Sequence, residues 1–81
     1  MKDLLKFLVK QLVDNPKAIE IKEETDQSGL ITLKLHVDAK DMGRVIGKQG
    51  SIINALRLLL KVKAIKDKKR VRLELIEDSV S

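Results

Sequence analysis

Three of the chain's four glycines, Gly43, Gly47 and Gly50, fall within eight residues, and the last two bracket Lys48 and Gln49. Helical patterns flank them. Asp38-Ala39-Lys40-Asp41 reads as an N-cap with an acid three residues on, opening a short helix through Ile46. From Ser51 to about Ile65 there is no Pro or Gly, which reads as one long helix. Two glycines at that spacing are common, so the helices on both sides carry the argument. Such a loop sets backbone N–H groups at a fresh helix N-terminus, whose partial positive charge favours phosphate. Glycine at 47 and 50 removes the Cβ atoms that would hold a sugar-phosphate backbone away, and it admits unusual dihedrals. Lys48 adds a point charge, and Ser51 is placed to cap the second helix.

The remaining chain supplies a sheet and one more helix. Lys2 to Asp14 sets Leu4, Leu5, Leu8 and Leu12 at helical spacing, stopped by Asn15-Pro16. Ala18 to Glu24 alternates as a strand. Asp26-Gln27-Ser28-Gly29 is a turn cluster, and Leu30 to Val37 resumes the alternation, so the pair reads as a hairpin. His36 falls on the solvent side of that second strand. Arg70 to Ile76 is a third strand, with Val71, Leu73 and Leu75 on its apolar side. The order α-β-β-α-α-β predicts an α+β domain spanning 1–81, a three-stranded sheet covered by three helices.

Function classes drop out quickly. With no Cys and a single His there is no thiolate or His-cluster metal site and no Ser–His nucleophile, so no catalytic residue, metal or cofactor is expected. No apolar run approaches a membrane span, and Asp and Lys interrupt the N-terminal apolar segment, so a cytoplasmic domain is expected. A nucleotide-binding P-loop is excluded by spacing: Gly43 to Gly47 encloses three residues instead of four, and Gln49 follows Lys48. The same reading expects no strand before the loop and no parallel strand pairing around it.

Charge points the other way. Residues 1–39 hold six Lys against seven acids, and residues 73–81 carry three acids and no cation. Residues 40–72 hold seven Lys and four Arg against two Asp. That is a polyanion-binding footprint, with solvated helix faces as the competing reading. The long helix is also more apolar than one core requires. Ile52, Leu56, Leu59 and Leu60 suffice for a core stripe, which leaves Leu58, Val62 and Ile65 as a second stripe, either buried in part under the first helix or open to self-association or a partner.

Val45-Ile46-Gly47-Lys48-Gln49-Gly50-Ser51-Ile52-Ile53 resembles the signature of the KH domain, in which a GXXG loop joins two helices. The element order resembles its type II arrangement. Leu12-Val13-Asp14-Asn15-Pro16, the segment Asp41 to Gly50 and the size of one bare unit are similar to the bacterial KhpA family. The resemblance implies a single-stranded RNA-binding protein that holds about four nucleotides. Gly47, Lys48, Gln49 and Gly50 would clamp the backbone, bordered by Gly43, Arg44, Ile46, Ser51 and Asn54. Apolar residues of the two helices and the second strand would floor the groove, and Arg57 and Lys61 would either extend the field or stand as ordinary solvated charges. The near absence of aromatics (Phe7 alone) disfavours RNA-binding folds that depend on stacked rings. The family further implies a homodimer, pairing with a larger KH-containing protein of the KhpB (Jag, EloR) type, and a role as RNA chaperone or regulator in cell elongation and division. A protein-interaction scaffold with a vestigial groove and a ribosome-assembly factor stay open as alternatives.

Overall fold

The computed structural model describes residues 1–76, so the acidic pair Glu77-Asp78 lies outside the described residues. Its elements are α1 (Lys2–Lys10), β1 (Glu20–Thr25), β2 (Leu30–His36), α2 (Met42–Ile46), α3 (Ser51–Lys66) and β3 (Arg70–Leu75). The sheet is mixed. β1 and β2 form the expected antiparallel hairpin, and β3 joins the other edge of β2 in parallel, with Leu33 opposite Leu73. This is the α-β-β-α-α-β architecture of a type II KH fold. The parallel pairing corrects one expectation, since β2 does precede the loop and runs parallel to β3. The P-loop exclusion therefore rests on glycine spacing and on α2, which separates β2 from the loop.

Alternation in β2 decides which side is inside. Ile31, Leu33, Leu35 and Val37 are buried beneath the helices, while Leu30, Thr32, Lys34 and His36 are half-buried on the other face. His36 stands opposite Glu20 on that outer face, where the sequence puts it. Leu5 and Val9 of α1, Val45 of α2, Leu56 and Leu60 of α3, and Leu73 of β3 complete an aliphatic core. The outer face carries both signs of charge side by side: Lys34 meets Glu24 at 2.6 Å and Arg72 meets Glu74 at 2.8 Å. Ion pairing with Lys34 holds the Glu24 carboxyl below its usual value.

Helix α1 ends at Lys10, four residues short of the expected Asp14, although turn-type bonds from Leu12 and Val13 to Val9 continue the coil. The reason lies across the fold. The buried Asp41 carboxylate accepts the backbone N–H groups of Asp14 (3.1 Å) and Asn15 (3.0 Å), pulling the chain out of the helix before the proline acts. Asp41 is thus no partner in a local capping box. Asp38 does cap its own turn, accepting from Lys40 N at 3.0 Å, and it also accepts from the Asn15 amide at 3.1 Å. Together these bonds fasten the segment after α1 to the segment that opens α2.

Candidate nucleic-acid interface

Helix α2 closes with Gly47 N donating to Gly43 O at 2.9 Å, and then the backbone turns left-handed. Gly47 has φ 75° and ψ 175°, Gln49 φ 55° and ψ 30°, and Gly50 φ 78° and ψ 14°. Gly50 N donates to Gly47 O at 3.2 Å and Ser51 N to Lys48 O, so the loop is a tight hydrogen-bonded turn. Space is decisive at Gly47. A Cβ there would lie 2.7 Å from Ile52 N and 2.8 Å from Ile52 Cβ, and against Ile52 Cγ1. The turn is folded onto the first residues of α3, which leaves Lys48 and Gln49 exposed at its tip.

Ser51 does not cap α3. It is already helical at φ −61° and ψ −38°, and the capping position belongs to left-handed Gly50, with no side chain on the helix N-terminus. The first-turn N–H groups of a 16-residue helix are therefore left without a side-chain cap beside exposed Lys48. Gly43 shows a different economy. It is exposed within α2, and a Cβ there would meet nothing within 4 Å. Neither packing nor a positive φ requires glycine at 43. Its effect is a bare patch of backbone on the loop's flank.

Arg44 is exposed on the same flank, and its Nη1 meets Asp14 Oδ1 at 2.7 Å. Ile46 is half-buried, while Asn54 stands one helical turn beyond Gly50, its amide near the space over that glycine. The nine candidate residues, Gly47 to Ser51 with Gly43, Arg44, Ile46 and Asn54, thus sit at one end of the α2–α3 pair. A concavity lies farther along α3, between α3 and β3, lined by Arg57, Leu60, Lys61, Val71, Arg72 and Leu73. Arg57 bridges its two walls, donating to Leu73 O at 3.4 Å and to Asn54 Oδ1 at 3.2 Å. This concavity is walled by α3 and β3, and no residue of the second strand lines it. The helix-side residues of β2 are sealed under the helices, with Leu33 and Leu35 at 0% exposure.

Around α3 the core stripe is Ile53, Leu56, Leu60 and Ala64, rotated from the expected one. Ile52 is spent on seating Gly47 and is half-buried, and Leu59 turns outward to 48% exposure. The second apolar stripe stands clear of the fold: Leu58 is 62% exposed, Val62 58% and Ile65 65%. Helix α1 does not cover it. Among the described residues no group of His, Asp and Glu is placed to hold a metal, and no helix is long and apolar enough to cross a membrane.

Known proteins match this arrangement along nearly the whole chain. The KH domain described as KhpA/KhpB matches residues 2–75. Relatives named RNA-binding protein KhpA include one from Caldanaerobacter subterraneus subsp. tengcongensis, 49% identical over 94% of this chain and 100% of the relative. Those from Listeria monocytogenes (50% identical, 95% of this chain, 100% of the relative) and Clostridium acetobutylicum (46%, 94%, 100%) are alike in extent. With a glycine-bounded loop between two helices, a mixed three-stranded sheet and this match, the chain belongs to the KhpA/KhpB family of KH-domain proteins.

Proposed function

We propose that this chain binds single-stranded RNA without catalysis, holding about four nucleotides across the Gly47–Gly50 loop and the α3–β3 groove. One observation carries the reading. The left-handed loop brings exposed Lys48, uncapped α3 N–H groups and backbone free of Cβ atoms to a single point. A phosphodiester meets a charge, hydrogen-bond donors and close access there. Gly43 supports it independently, because glycine is a weaker helix former than alanine and neither packing nor a positive φ requires it here. Close approach of a ligand backbone would account for it. The groove is small and lacks aromatic platforms, which favours unpaired bases held by edge contacts.

Fluorescence anisotropy with a labelled single strand and the matching duplex tests this. The single strand binds, its affinity falls with salt by a log–log slope of about −0.7 per phosphate contact, and the duplex binds at least about tenfold more weakly. Gly43→Ala is expected to raise unfolding stability by up to about 1 kcal/mol while weakening RNA binding. A variant that gains stability and keeps full affinity would remove Gly43 from the interface.

We further propose that Leu58, Val62 and Ile65 form the association surface, with a second copy or the KH domain of a larger KhpB-type member as partner. Three neighbouring apolar side chains, each more than half exposed on a helix, support it. Two linked copies would double the nucleotides held and raise effective concentration. Val62→Glu is expected to sediment as a folded monomer, since Val62 contributes nothing to the core. A persisting dimer would place the interface elsewhere. In the cytoplasm such a paired RNA binder would serve as an RNA chaperone or post-transcriptional regulator, the role attached to cell elongation.

A further inference from the structure

The cationic surface does not stop at the groove beside the loop. Lys61 and Val71 are shared with a second concavity reaching Lys69 and Arg70. Those two in turn line a third, which also touches Glu23, Ser28, Gly29 and Lys68 at the far end of α3. Lys66, Lys68, Lys69 and Arg70 crowd into five residues, where Asp67 is the sole acid and lies 3.4 Å from Lys63.

Two features separate this turn from an ordinary solvated surface. Its backbone is defined, with Lys68 left-handed at φ 58° and Lys69 N bonded to Ala64 O at 2.7 Å. Arg70 is fixed as well, donating to Ser28 O at 2.9 Å and Ser28 Oγ at 3.0 Å. On the outer sheet face, Lys34 and Arg72 each have a carboxylate beside them. Among the described residues, by contrast, the Lys66, Lys68 and Lys69 ammonium groups make no ion pair or hydrogen bond within the fold. Glu23 is the one carboxylate lining the concavity.

We propose that the α3–β3 turn is a second phosphate-contact surface for the same RNA strand, engaging nucleotides beyond those held at the loop. The proposal rests on the RNA-binding reading above. Helix α3 has 16 residues, so the two basic ends stand about 24 Å apart. At a stacked spacing of about 3.4 Å, that gap takes about seven nucleotides. A strand of about four nucleotides therefore ends within the loop and the adjoining groove, short of the α3–β3 turn, whereas one of about twelve reaches both ends.

The test compares those two lengths of single-stranded RNA on the full chain and on the triple variant Lys66→Gln, Lys68→Gln, Lys69→Gln, with thermal melting to verify the fold. The long strand is expected to lose at least about fivefold in affinity and about 2 units of salt slope, for three phosphate contacts. The short strand, followed by NMR titration, is expected to keep its affinity. Unchanged binding of both lengths overturns the second surface and leaves the loop reading intact. Equal loss on both overturns it too, reducing the turn to a general field. If the unmodified chain binds neither strand, the RNA reading itself fails and takes this proposal with it.

Discussion

Gly47→Ala is expected to lower stability by about 3 kcal/mol, far more than the same change three residues on. The backbone at Gly47, φ 75° and ψ 175°, belongs to a region essentially restricted to glycine, and forcing another residue there costs about 1–3 kcal/mol. A methyl group would also press on the Ile52 backbone nitrogen at 2.7 Å, which cannot move without disturbing the first turn of α3. Overpacking of that kind adds about 1–3 kcal/mol. Gly50 differs on both counts. Its φ 78° and ψ 14° lie in the ordinary left-handed well, at about 1–2 kcal/mol for alanine, and the nearest atom to a new Cβ is 3.5 Å away. At about 4–8 °C per kcal/mol, Gly47→Ala should melt at least about 10 °C below the parent, with Gly50→Ala between them. Equal losses at the two positions would mean that the loop is not seated on Ile52.

The elements were legible because apolar periodicity states them directly. Strict alternation in Ile31, Leu33, Leu35 and Val37 describes a strand covered on one face, and that is how β2 lies. Strand direction is a different matter. Alternation reads the same from either end, so nothing in Arg70 to Leu75 announces that β3 pairs in parallel. The early end of α1 was hidden for a related reason. It depends on Asp41, 27 residues from the Asp14 N–H that it accepts, and a long-range bond leaves no local pattern. On α3 the buried stripe is Ile53, Leu56, Leu60 and Ala64, while Ile52 packs beside Gly47 at the edge of the core and Leu59 is 48% exposed.

The candidate site was more legible than the fold around it. Gly47, Lys48, Gln49 and Gly50 are contiguous, so their meeting needs no tertiary information. Its far wall was not. Arg72 and Val71 come to the concavity beside α3 only because β3 occupies that sheet edge. A usable signal did exist on α3, where Asn54, Arg57 and Lys61 share one polar arc. That arc faces β3, and Arg57 spans it to Leu73 O. Ser51 misled, since a serine after a glycine break looks like a cap. A left-handed Gly50 takes the capping position and sets the serine inside the helix.

The proposed phosphate contact at the loop is isolated by the double variant Lys48→Asp, Gln49→Asp. Both side chains are exposed, so no core contact is lost. Asp is tolerated at the left-handed angles of Gln49 better than most residues, and a carboxylate beside a helix N-terminus is favourable to the fold by about 0.3–1 kcal/mol. The variant should therefore melt at or slightly above the parent temperature. Toward RNA the same carboxylates repel. They replace one cation with two anions at the point where the α3 N–H groups would meet a phosphodiester. Anisotropy titration of a single-stranded RNA, with melting of the same samples, measures both effects. If the loop holds phosphate, melting stays intact and affinity falls at least about tenfold, about 1.4 kcal/mol. Intact melting with unchanged affinity would contradict it.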